Sequence, residues 1–251
     1  PVCSSTIFTL PSMITYSILA LALFFVVFIT GCTMETVVGS GNIVTQMPVA
    51  TGFEEIEVAS HCDVEIYQDS VYTVQVTEYE NLMQYLKFEV IGKKLLISIK
   101  PDHISISNSH ARAVIHMPDV LRKLTISGSS DINIKSGFKD ISSLYVSGSG
   151  NIIGEKPAVM DNISASVDGS GDITMLGSAN NLNLSISGSG NIDFAGVKAL
   201  TANCEIDGSG DIAVNVSNTL VATINGSGDI EYYGNPTVTK RINGSGKIVK
   251  R

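Results

Sequence analysis

Apolar and polar positions alternate along most of this chain with a period of two. Leu182-x-Leu184-x-Ile186 is one run and Ile192-x-Phe194 is the next, with Gly188-Ser189-Gly190 and Asn191 between them. Period-two alternation places one face of an extended segment against a core and the other in solvent, so these runs predict half-buried strands. The same unit recurs. Gly-Ser-Gly or a near copy begins at Gly128, Gly148, Gly169, Gly188, Gly208, Gly226 and Gly244, at spacings of 20, 21, 19, 20, 18 and 18 residues. An isolated earlier copy begins at Gly39. Each unit therefore reads as strand, tight corner, strand and a looser turn such as the one at Gly234-Asn235-Pro236.

A repeat of this kind fits either a meander of antiparallel hairpins or a parallel solenoid with one coil per repeat. Residue identity at fixed offsets favours the solenoid. Ser stands at 129, 149, 170, 189, 209, 227 and 245, and Asp or Asn at 131, 151, 172, 191, 211 and 229. Stacked coils bring such positions together about 4.8 Å apart as side-chain ladders, which a meander does not require. The fold class expected is all-β, a right-handed parallel β-helix with GSG-cornered coils of about 20 residues. Ile132, Ile152, Ile173, Ile192, Ile212, Ile230 and Ile248 are its expected interior stack. The last coil carries Lys247 at the Asp/Asn position, within a stretch, 240–251, that holds five of the sixteen basic residues. Charge there opposes pairing of an open terminal edge. Residues 42–120 lack the period but alternate, with a short helix expected at Glu80–Leu86, and read as irregular coils continuing into the regular ones.

The N-terminus differs. Residues 1–34 carry no charge, and Ile18–Ile29 is an unbroken apolar run of twelve residues. That is short for a membrane span and suits a signal-peptide h-region. The run closes in Ile29-Thr30-Gly31-Cys32, which resembles the bacterial lipobox and implies a diacylglycerol on Cys32. The expected division is 1–31 as a lipoprotein signal peptide (with Met13 as an alternative start), 32–49 as tether and first strand, and 50–251 as the β-helix domain. Within that domain, 50–120 form irregular coils and 121–251 regular ones. Dividing the 220 residues from Cys32 onward by a spacing near 19 gives about eleven coils and a height of roughly 50 Å. Of the remaining cysteines, Cys62 and Cys204 read as two buried thiols, a disulfide being the alternative in an oxidising compartment.

Composition narrows the function. Acids outnumber bases 24 to 16, for a formal charge of −8, which opposes a nucleic-acid partner. Asp168, Asp172, Asp207, Asp211 and Asp229 invite a catalytic or calcium-binding reading, because β-helices include polysaccharide lyases and hydrolases. Their recurrence at coil after coil, exchanging with Asn, points instead to corner structure. His61-Cys62-Asp63 has the composition of a nucleophile's surroundings, but neighbours on a strand point to opposite faces. No catalytic, cofactor or metal residues are assigned. Asp69-Ser70-Val71 resembles the acceptor of a Gram-negative O-glycosylation system and implies Ser70 as acceptor.

The order Phe53-x-x-Ile56-x-Val58, Asp63-Val64-x-Ile66, Tyr72-x-Val74-x-Val76 and Lys94-Leu95-Leu96-Ile97, followed by the GSG array, resembles the putative autotransporter adhesin, head GIN domain family. The resemblance implies a right-handed β-helix in a Gram-negative envelope, with adhesin-like function and no catalytic residues to transfer. The expectation is a non-enzymatic outer-membrane lipoprotein, on the periplasmic or the outer face, held to the membrane through Cys32. Its expected ligand is a glycan or a surface protein. The alternative is a carbohydrate-active β-helix enzyme or a glycan-binding protein.

Overall fold

The alternating runs become parallel strands whose inward residues stack directly on one another. A computed structural model describes residues 35–118 and 120–251. On one face Leu124, Leu144, Ala165, Leu184, Cys204 and Ala222 are successive register partners, all buried. After the corner, Ile132, Ile152, Ile173, Ile192, Ile212, Ile230 and Ile248 form a second buried column. No single coil encloses this surface; each buries its neighbour's, at about 1.5–3 kcal/mol for each large side chain covered. The pairing is parallel throughout the array, as a solenoid requires and a hairpin meander forbids. A third, shorter face starts with bridges linking Val120, Lys139 and Val159. About six turns of near-20-residue spacing separate Gly128 from Gly244.

The first coils are not stacked in chain order. Glu55–Ala59 pairs in parallel with Lys94–Ile99 on one side and Lys123–Gly128 on the other. Asp63–Gln68 likewise lies between Arg112–Met117 and Ile132–Ile134. The coil made first in the chain is thus inserted between the second and the third, so residues 42–120 do not simply continue into the array. The chain reaches this arrangement by doubling back. Thr73–Tyr79 runs antiparallel on Arg112–Met117, Ile43–Gln46 antiparallel on Thr73–Tyr79, and Leu86–Ile91 antiparallel on Lys94–Ile99. These strands close the N-terminal end of both faces. The expected helix is shorter, Glu80–Met83, because Leu86 already begins a strand.

Chain spent on this closure adds no height. Nine strands stack in parallel on the first face, from Lys94–Ile99 to Thr237–Gly244. At about 4.8 Å per step that is roughly 40 Å, less than the eleven coils and 50 Å expected from length alone.

Candidate functional site

The corners carry the residues that sequence singled out, and each has a backbone task. In the corner at Gly169-Ser170-Gly171, Gly169 has φ of +139°, and a Cβ there would lie 2.3 Å from the Gly148 carbonyl oxygen. Gly171 needs no positive φ, but its Cβ would lie 2.0 Å from the Gly150 carbonyl oxygen. Only glycine lets one corner sit this closely on another. The approach lets Ser170 and Gly171 both donate their N–H groups to the Gly148 carbonyl, at 2.8 and 3.1 Å.

The Asp/Asn column is a chain of side-chain-to-backbone bonds. Asp131 Oδ1 accepts the Asn151 N–H at 2.9 Å, and Asn151 Oδ1 accepts that of Asp172 at 2.9 Å. Asp172 serves Asn191 at 2.8 Å, Asn191 serves Asp211 at 3.0 Å, and Asp211 serves Asp229 at 2.7 Å. Only a side-chain oxygen is needed, which is why Asp and Asn interchange. The column begins one coil earlier than the GSG period shows: Asp63 Oδ1 accepts the Asp131 N–H at 3.0 Å. It ends at Lys247, which donates its N–H to Asp229 at 2.7 Å. The sequence held a signal for Asp63, because Asp63-Val64-x-Ile66 repeats the Asp-Ile-x-Ile pattern of Asp131–Ile134. Asn191, Asp193, Asp211, Asp229 and Glu231 border an open groove of about 410 Å³. Among the described residues no group of three or more His, Cys, Asp or Glu is arranged to hold a metal ion. Asp168 and Asp207 lie just before their corners, where Asp168 accepts from the Tyr145 hydroxyl at 2.6 Å and Asp207 from the Asn225 amide at 2.7 Å.

At the N-terminal end a buried carboxylate closes the corner column. Glu78 is fully buried, and its Oε1 accepts the N–H groups of Tyr79 at 2.7 Å and His110 at 2.9 Å, while Oε2 accepts the Ser109 hydroxyl. His110, whose N–H it accepts, lies two residues before Arg112, the register partner of Asp63. His61 Nε2 lies 3.7 Å from Glu78 Oε2. Nothing in the local sequence marks Glu78, since the partners that bury it lie about 30 residues away. Cys62 and Cys204 are both buried free thiols. Burial pushes Cys62 far above the usual thiol range, with Asp63 and Glu78 adding to the effect, and pushes Cys204 up to about 12.

Ser70 lies on the exposed turn between Asp63–Gln68 and Thr73–Tyr79. Asp69 Oδ1 accepts its N–H at 2.6 Å and its hydroxyl at 3.2 Å, and these bonds, with His116 nearby, hold the Asp69 carboxyl below its ordinary range. Cys32 lies outside the described residues, as does the whole of the expected signal peptide.

The family model described as "Putative auto-transporter adhesin, head GIN domain" matches residues 52–236. The chain belongs to that family. Membership implies a cell-surface or envelope location. A putative adhesin from Bacteroides fragilis superposes with a TM-score of 0.78 at 22% identity, covering 86% of this chain and all of its own. A putative lipid binding protein from Parabacteroides distasonis gives a TM-score of 0.72 at 29% identity, over 86% of this chain and all of its own. A putative adhesin from Parabacteroides merdae gives 0.67 at 21%, over 86% of this chain and 99% of its own. The likenesses under 25% identity are likenesses of fold. Among curated proteins none matches.

Proposed function

We propose that this head GIN protein is a non-enzymatic, lipid-anchored module of the outer membrane that acts in adhesion or envelope architecture. The observation that carries the reading is the use made of the recurring acids. From Asp63 to Asp229, one oxygen of every Asp or Asn in the corner column accepts the N–H of the next coil. A residue repeated for stacking is a scaffold element, whereas a catalytic acid is singular. Anchoring rests on the ITGC sequence at Cys32 after its apolar run, and the exposed Ser70 turn is the proposed O-glycosylation site. The ligand proposed is a glycan or a surface protein.

The test expresses the full chain and Cys32→Ala in a Gram-negative host fed a fatty-acid analogue. Wild type labels and fractionates with membranes, and Cys32→Ala does neither. Purified protein incubated with host and bacterial polysaccharides releases no shortened or unsaturated product. Turnover abolished by one corner Asp substitution would replace this reading with the enzyme alternative.

A further inference from the structure

The exposed apolar side chains of the solenoid are not evenly spread. Among the described residues, the large hydrophobics more than half exposed are Val38, Ile43, Met47, Val49, Val71, Ile91 and Val159. All but Val159 belong to the N-terminal closure or its turns. Ile43 is on the outermost strand of one face and Ile91 on the outermost strand of the other. Met47 and Val49 follow the first of these strands directly, and Val49 is 96% exposed. Val38 is on the entering strand Glu35–Val38. Isolated surface hydrophobics need no explanation, but a concentration at one end of the solenoid does.

The distance to Cys32 supplies a partner. Within residues 32–49, expected as tether and first strand, Glu35–Val38 and Ile43–Gln46 are paired strands and the Gly39 N–H is bonded to Ser107. Three residues, 33–35, separate Cys32 from Thr36, and the four Cα-to-Cα steps reach at most about 14 Å. An acyl group on Cys32 therefore brings the N-terminal closure to the headgroup layer.

We infer that the N-terminal closure is a bilayer-docking surface. Val38, Ile43, Met47, Val49 and Ile91 enter the boundary between headgroups and acyl chains, and the solenoid stands with Thr237–Gly244 distal. This rests on the anchoring reading above. Contact by apolar area, the mode of interfacial helices, accounts for the selection of these side chains. Charge does not favour anionic lipid here, since Glu35, Glu80 and Glu89 on the closing elements outnumber Lys87. Zwitterionic vesicles are therefore sufficient, and added salt leaves docking intact.

The chain has no Trp, so one introduced indole reports on one position. Met47→Trp, Val49→Trp and Ile91→Trp are placed in the full lipidated chain, with Val159→Trp and Val221→Trp as remote controls. Each protein is reconstituted into phosphatidylcholine vesicles with and without brominated acyl chains. Flotation with the vesicles is scored in the same samples. The expected result is a blue shift and at least twofold quenching by bromine at 47, 49 and 91, with none at 159 or 221. Proteins that float while closure and control positions respond alike would overturn the docking surface and leave the anchor standing. Wild type that fails to float sinks the anchor itself, and the inference with it.

Discussion

Asp229 accepts the backbone N–H of Lys247 at 2.7 Å, and Lys247 has no side-chain oxygen to pass the bond onward. The difference between this lysine and the seven Asp or Asn residues in the coils before it defines the expected response to substitution. Asp211→Asn keeps the acceptor, as Asn151 and Asn191 already do, and leaves the melting temperature nearly unchanged. Asp211→Ala orphans the Asp229 N–H and costs about 1–2 kcal/mol, readable as a lowered urea midpoint. Equal effects of Asn and Ala would show that the ladder bond contributes nothing.

The corner glycines set a second contrast. A Cβ on Gly190 would stand 2.0 Å from the Gly171 carbonyl oxygen, and one on Gly208 would stand 2.1 Å from that of Gly188 at φ +148°. Gly190→Ala and Gly208→Ala should each destabilise by roughly 3 kcal/mol or more, and Ser209→Ala by about 0.5 kcal/mol or less. Thermal denaturation of the three variants measures this directly.

Glu78 should behave as an end-stop. Glu78→Ala leaves the His110 and Tyr79 N–H groups and the Ser109 hydroxyl without their acceptor, at a cost of about 2–4 kcal/mol. Hydrogen exchange should quicken most at residues 109–111 and little beyond Gly148. Uniformly faster exchange along the solenoid would contradict a local capping role.

Burial of Cys204 makes stability fall with alkalinity. Its folded pKa is raised to about 12, so its contribution is complete below the unfolded thiol value near 8.5 and is lost as pH rises toward 12. At pH 10 the loss is about 2 kcal/mol. Cys204→Ala, which matches Ala165 and Ala222 in the same column, removes that part of the pH dependence. Urea midpoints at pH 7 and pH 10 for both proteins decide it.

Regular coils are legible in sequence because every coil faces a near copy of itself. The glycines, the Asp/Asn column and the inward Ile column all recur for one local reason, and their offsets can be counted. The first coils obey no such rule. Nothing near Glu55 indicates that its strand lies between Lys94–Ile99 and Lys123–Gly128, because that order is set by how the chain closes its own end. Glu78 was hidden for the same reason, as its partners Ser109 and His110 are distant in sequence. Asp63 is readable, because Asp63-Val64-x-Ile66 repeats the Asp131–Ile134 pattern.

The inserted coil also bears on mechanical force. If the molecule is held at its N-terminus while a ligand is pulled at the far end, tension meets Glu35–Val38 on Ile104–Ser107 first and then Ile43–Gln46, whose outer edge can be peeled from Thr73–Tyr79 bond by bond. The next segment, Glu55–Ala59, cannot be peeled. It is flanked on both sides by parallel strands and must be sheared from two neighbours at once. Extension should therefore begin softly and then stop at a clamp near Phe53, before any coil of the array is pulled from its neighbour.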